Sequence, residues 1–143
     1  MKVKFTKLNE NAVIPVYSSE QAAGADLYNS EGDFDILPGQ TKLIGTGIAM
    51  QIPVGYVGLV FARSGLACKQ GLAPANKVGV IDSDYRGEIK VALHNHSQEQ
   101  KQIKLGERMA QLVVVPYLKC EFEEVGHLEQ TDRGAGGFGS TGK

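Results

Sequence analysis

The 143-residue chain has no tryptophan, two cysteines and five prolines, and its longest aliphatic run is the stretch LVVV at 112–115. A run that short excludes an apolar membrane-spanning helix, which needs about 20 such residues. Cys68 and Cys120 stand far apart and without C-x-x-C spacing. That excludes a disulfide-stapled scaffold and a cysteine metal knuckle, and suits two reduced thiols, read here as small buried hydrophobes of a cytoplasmic protein. An excess of charge is missing too: 15 Lys and Arg stand against 16 Asp and Glu, for a net charge of −1. No bulk attraction to nucleic acid or to an anionic membrane follows, so any phosphate binding has to come from a few placed residues. The opening MKVKFTKLNE lacks the continuous apolar segment of a secretory leader, and none is expected.

Helical periodicity is nearly absent as well. Val3 and Phe5 alternate with Lys2, Lys4 and Thr6, the period of a half-buried strand. The alternation returns in EIKVAL, where Ile89, Val91 and Leu93 share one face, while LVVVPYL reads as a strand buried on both faces until Pro116. Turn signals punctuate the chain at Pro38-Gly39, Gly45 and Gly47, Pro53 with Gly55, and Gly106. Many short strands between close turns predict an all-β sandwich, jelly roll or small barrel. One brief helix is expected over SGLACKQ, 64–70, with Ser64 as its N-cap.

Four stretches combine glycine with charged or amide residues in ways that core packing does not require. In AAGADLYN, 22–29, Asp26 lies among small residues that admit a backbone or a ligand. In FARSGLA, 61–67, Arg63 and Ser64 directly precede the short helix, where a guanidinium fork can hold phosphate oxygens or simply pair locally. In NKVGVIDSDYRGEI, 76–89, Asp82 and Asp84 are two apart, on one side of an extended segment or in an ordinary turn. In GERMAQLVVV, 106–115, Gln111 stands just before an apolar strand, as a ligand-binding or a surface amide. His94 and His96 form an H-x-H pair with no third ligand in register, which reads as a solvated strand end rather than a metal site.

The chain ends on RGAGGFGSTGK, 133–143, five glycines in eleven residues. Gly134, Gly136 and Gly139 fit the spacing G-x-G-x-x-G, but a dinucleotide fingerprint needs a helix after it and an acidic residue about 20 positions on. Only Ser140 to Lys143 follow, so that reading fails, as does a phosphate-binding Walker loop. What remains is an arm whose backbone N–H groups, with Arg133, Ser140 and Thr141, can wrap a polyphosphate while Phe138 stacks on a base.

In order and spacing, AGADLYN, ARSGLA, GVIDSDYRGEI, GERMAQL and RGAGGFGSTG resemble the five motifs of the trimeric deoxyuridine triphosphate nucleotidohydrolases, the dUTPases. The resemblance runs from about Lys4 to the last residue; one departure is Ala62, where many members carry proline. It implies a jelly-roll domain over 1–132, a closing arm over 133–143, and a homotrimer with three sites at subunit interfaces. The first, second and fourth motifs would come from one subunit, the third from a second and the fifth from a third. The implied reaction is Mg²⁺-assisted hydrolysis of dUTP to dUMP and pyrophosphate, limiting uracil incorporation into DNA and supplying dUMP for thymidylate synthesis. In that scheme Asp82 activates the water that attacks the α-phosphorus, and Tyr85 packs under the deoxyribose. The backbone around Asn76 and Gly79 reads the uracil edge. Arg63, Ser64, Gly65 and Gln111 hold phosphates, and Asp26 meets the metal-bound phosphates through water. Arg133 reaches the γ-phosphate, Phe138 covers the uracil, and Gly139 and Ser140 complete the arm's contacts. The homologous dCTP deaminases resemble G-x-I-x-L-E-[apolar]-x-N after the third motif; here GEIKVALHN, 87–95, puts Ala92 where their glutamate stands.

Overall fold

The computed structural model describes residues 1–137. Its eleven strands and one helix follow in the order β1 (Lys4–Lys7), β2 (Val16–Tyr17), β3 (Ala25–Tyr28), β4 (Phe34–Ile36), β5 (Thr41–Gln51), β6 (Tyr56–Ala62), α1 (Ser64–Gln70), β7 (Leu72–Pro74), β8 (Gly79–Ile81), β9 (Glu88–Asn95), β10 (Lys101–Ile103) and β11 (Arg108–Pro116). A four-stranded sheet runs β1-β5-β9-β7, a five-stranded sheet runs β2-β3-β11-β6-β8, and β10 pairs with β4. Every pairing is antiparallel. This is an all-β jelly roll, one of the architectures that the short, turn-separated apolar runs predict and the one the resemblance implies.

Alternation decides which side chains meet between the sheets. Ile89, Val91 and Leu93 of β9 are all buried, as their spacing predicts, and pack with Ile44, Ile48, Leu72, Ile103 and Met109 in one core. Burying such side chains contributes about 1.5–3 kcal/mol each. β11 departs from expectation. Leu112 is buried and Val114 packs on the core, but Val113 and Val115 alternate to the opposite face and are only half-buried. β1 spans Lys4–Lys7 with Phe5 exposed, and it is Val3, just before it, that packs on the core.

Other local readings are also corrected. Gly39, Gly55 and Gly106 take the left-handed backbone that their turns require, whereas Gly45 and Gly47 lie inside β5. There the register against β9 shifts between Gly45 and Ala49, and Gly47, with φ of 66°, marks the irregularity instead of a turn. Helix α1 spans the predicted residues, but its N-cap is Arg63 and no side chain caps it; Gly71 ends it in the left-handed conformation. Cys68 and Cys120 are both exposed, not buried. The His94 and His96 rings meet edge to face at 4.4 Å, and His94 Nδ1 lies 2.8 Å from Thr41 Oγ1. Partial desolvation, then the neighbouring His94 and Lys77, hold His96 below its ordinary pKa. Among the described residues no three His, Cys, Asp or Glu side chains gather as a metal site.

Candidate active site

Asp26 and Gln111 are register partners across β3 and β11. Small residues precede Asp26 so that the two strands can close: a methyl group on Gly24 would overlap Gln111 Oε1. The Gln111 amide donates to Ala62 O at 2.9 Å and so ties β11 to the last residue of β6. It is a half-buried, tethered group rather than a surface amide.

Arg63 follows Ala62 directly. Its Nε donates to Asp26 Oδ1 at 2.7 Å, and Arg108 Nη1 donates to Asp26 Oδ2 at 3.2 Å. The Asp26 side chain is 10% exposed, so a buried carboxylate is answered by two cations, as burial of charge requires. The Nε bond aims the guanidinium and spends neither terminal nitrogen on Asp26, leaving the fork for an anion. Arg108 is a residue of this cluster that the sequence does not single out. Its one signal in the sequence is a basic residue three positions before Gln111.

Gly24, Asp26, Arg63 and Gln111 line an open depression of about 480 Å³, together with Ser18, Ala22, Ala23 and Val113, while Arg108 lines the adjoining hollow on the other side of Arg63, with Tyr28 and Glu107. Asp26, Arg63, Ser64, Gly65 and Gln111, drawn from three separate stretches of the sequence, all border it. A polar hollow with an oriented guanidinium, a hydroxyl and an amide suits a chain of phosphate oxygens.

The third stretch lies elsewhere on the protomer. Asn76 belongs to the turn between β7 and β8, where Lys77 has φ of 65° and Val78 N donates to Asn76 O at 2.7 Å. Gly79 opens β8 opposite Val60, and a methyl group on it would come within 3.4 Å of Asn76 Nδ2. Asp82 leaves β8 at its far end. Tyr85 N donates to Asp82 O at 3.2 Å, so Asp82 and Asp84 sit in a turn rather than along an extended segment. Arg86 Nη1 braces that turn through Ser83 O and Tyr85 O. The Tyr85 hydroxyl donates to Glu88 O at 2.9 Å, which lays the ring over Gly87 so closely that a methyl group there would overlap the hydroxyl.

Ile81, next to Asp82, pairs with Gly58, five residues before Arg63 on β6. At about 3.3 Å per residue, the Asp82 end of β8 stands roughly 16 Å along the sheet from the Arg63 end of β6. Within one protomer, then, the carboxylate and the guanidinium do not share a pocket. Arg133 is exposed and, among the described residues, bonds locally, its Nε donating to Gly136 O at 2.8 Å. Phe138, Gly139 and Ser140 lie outside the described residues.

Comparison with known proteins gives one consistent result. A family model described as dUTPase matches residues 10–142. The deoxyuridine 5'-triphosphate nucleotidohydrolase of Nautilia profundicola is 55% identical over 143 residues, covering 100% of both chains. That of a Hydrogenobaculum species is 47% identical over 142 residues, covering 99% of both. Among solved structures, the dUTPase of Staphylococcus bacteriophage 80alpha with dUPNHPP superposes with a TM-score of 0.87 at 30% identity, covering 99% of both chains. A mutant dUTPase of S. aureus phage phi11, described with a structural Mg(II) ion, superposes with a TM-score of 0.80 at 28% identity over 91% of this chain and all of the other. With the order of its site residues, its jelly-roll fold and these likenesses in agreement, the chain belongs to the dUTPase family, hydrolases that act as dUTP diphosphatases.

Proposed function

We propose that this chain hydrolyses dUTP to dUMP and pyrophosphate in active sites shared between the subunits of a homotrimer. One observation carries the reading: the depression around Arg63 holds phosphate-binding groups, and the carboxylate that lines it, Asp26, has both oxygens engaged by guanidiniums, while Asp82 follows the end of β8 that stands roughly 16 Å away along the same sheet. Docking the Asp82 end of one protomer against the Arg63 depression of another completes the set. The apolar outer face of the five-stranded sheet supports such an assembly. Val57, Leu59 and Phe61 of β6 point away from the core, beside their register partners Val115, Val113 and Gln111, and Val80 opposite Leu59 is 62% exposed. Apolar side chains gathered on one outer face mark an interaction surface.

In the assembled site the backbone around Asn76 and Gly79 reads the uracil edge, and Tyr85, pinned by its hydroxyl to Glu88 O, lies under the deoxyribose and leaves no room for a 2'-hydroxyl. Arg63, Ser64, Gly65 and Gln111 hold the phosphates in line. Asp82 accepts a proton from a water whose oxygen bonds to the α-phosphorus. The bond from that phosphorus to the α–β bridging oxygen breaks, and the electron pair leaves with pyrophosphate. Arg133 meets the γ-phosphate, and the arm over 133–143, beyond the domain of residues 1–132, brings Phe138 onto the uracil with Gly139 and Ser140 beside the phosphates.

The residues present fit Mg²⁺ only as a partner of the substrate. Both Asp26 oxygens already hold guanidinium groups, and the described residues offer no cluster of acidic ligands. The triphosphate would therefore be its principal ligand, with Asp26 able to reach it only through water. When bound, the ion neutralises phosphate charge and leaves the positioning to the side chains named above. No helix among the described residues is long and apolar enough to cross a membrane, and a cytoplasmic enzyme that limits uracil incorporation into DNA and supplies dUMP for thymidylate synthesis is the fitting role.

The deciding experiment measures pyrophosphate release from dUTP, dCTP, dTTP and UTP with Mg²⁺. Release from dUTP alone supports the proposal. Tight binding of dUTP without turnover would make the protein a nucleotide sensor, and ammonia from dCTP would make it a deaminase.

A further inference from the structure

We propose that Arg108 is a positioning residue for the phosphate site, acting through Asp26 on Arg63, and that the bulge at the start of β11 exists to deliver it there. The inference rests on reading the Arg63 depression as the phosphate site.

Along β11 the pairing with β3 is regular from Leu112 to Ala110: Leu112 faces Ala25, Gln111 faces Asp26 and Ala110 faces Leu27. Continued alternation would put Arg108 on the face of Ala110, which is fully buried in the core. The register instead shifts between Ala110 and Arg108, so that Arg108 pairs with Tyr28. Tyr28 shares a face with Asp26, two residues earlier. The irregularity thus moves one guanidinium from the core face to the site face, the kind of re-aiming that bulges provide.

The turn before Arg108 is fastened from behind by Asn29, which is completely buried. Asn29 N donates to Glu107 O at 2.9 Å, Gly106 N donates to Asn29 O at 2.8 Å, and the Asn29 amide donates to Lys104 O at 3.0 Å. Glu107 closes the same turn by accepting from Lys104 N at 2.8 Å. Asn29 follows Asp26 by three residues on the same chain segment, so one short stretch supplies both the carboxylate and the anchor for its second cation.

The chemical consequence lies in the carboxylate. Arg63 alone would leave Asp26 Oδ2 unpaired in a largely buried place and the carboxylate free to turn about its own axis. With Arg108 on Oδ2, both oxygens are fixed, so the direction in which Asp26 holds the Arg63 Nε is fixed. The trio also carries net charge +1 where a simple Arg63–Asp26 pair would carry none, which favours an anion in the adjoining depression.

The test compares the full-length enzyme with R108Q, R108K and D26N, and with the double variant D26N/R108Q. Two inhibitors serve as probes: pyrophosphate, which reports the phosphate site, and deoxyuridine, which reports the base and sugar site. R108Q is expected to weaken pyrophosphate about tenfold and to raise KM for dUTP in step, with deoxyuridine unchanged within about twofold. R108K, keeping charge but losing the fork, is expected to recover part of the loss. The double variant is expected to bind pyrophosphate no worse than the weaker single variant, because both changes break one chain of contacts. Losses that multiply in the double variant would overturn the inference by showing that Arg108 acts without Asp26. So would equal weakening of both inhibitors accompanied by a lower melting temperature, which would make its role structural. An unaltered enzyme that does not release pyrophosphate from dUTP would instead overturn the proposed function itself.

Discussion

Gly24 lies against the side chain of Gln111 so closely that any β-carbon at position 24 would overlap the Gln111 amide oxygen. The pair links two of the separate sequence stretches, since Gln111 in turn holds Ala62 O and thereby the approach to Arg63. Gly24→Ala is therefore expected to push the amide off Ala62 while leaving the core intact. Overpacking of this kind costs about 1–3 kcal/mol, and here it falls on the site. Steady-state kinetics should show a raised KM for dUTP, with the melting temperature lowered by the several degrees that such a cost implies; an unchanged KM would separate Gln111 from phosphate binding.

Asp82→Asn keeps the turn, because Tyr85 N bonds to the Asp82 backbone oxygen and not to the carboxylate. The amide cannot accept the water's proton, so kcat should fall by about 10²–10⁴ while dUTP still binds. Near-normal turnover would remove Asp82 from the role of base.

Gly87 and Tyr85 form a second close pair, and two substitutions probe it from opposite sides. Tyr85→Ala is expected to raise activity on UTP relative to dUTP by opening space beneath the sugar. Gly87→Ala should do the same in weaker form, by displacing the ring whose hydroxyl it would overlap. Initial rates on both nucleotides decide it, and a ratio unchanged in both variants would place sugar discrimination elsewhere.

Removing residues 133–143 should leave the melting temperature of the free protein nearly unchanged and reduce turnover steeply. Among the described residues, Arg133 bonds locally to Gly136 and residues 133–137 contribute nothing to the buried core. A fall of many degrees on truncation would show instead that the arm is structural.

The fold was legible because alternation and turn chemistry act locally. Ile89, Val91 and Leu93 declare one face of β9 without reference to any other strand. Beyond the cap of α1 and the exposure of the two cysteines, what failed depends on pairing. Gly45 and Gly47 look like turn residues, yet they sit in the longest strand, since a bulge is defined only by the strand opposite. The half-buried Val113 and Val115 belong to a run that sequence alone reads as buried twice over; the face they occupy has no layer of described residues upon it within one protomer. In the site, Asp26, Arg63, Ser64, Gly65 and Gln111 meet as their motifs suggest. Arg108 stayed hidden, because strict alternation assigns it to the core, and only the register shift turns it outward.

The distance between Asp82 and Arg63 along one sheet also has a genetic meaning. If each working site draws these two residues from different chains, a protomer lacking Arg63 and another lacking Asp82 are each inert in pure assemblies. Mixed, unfolded together and allowed to reassemble, they would regenerate some sites in which both groups are intact. Two dead alleles would then restore one another's function, a form of complementation that sites contained within a single chain do not permit.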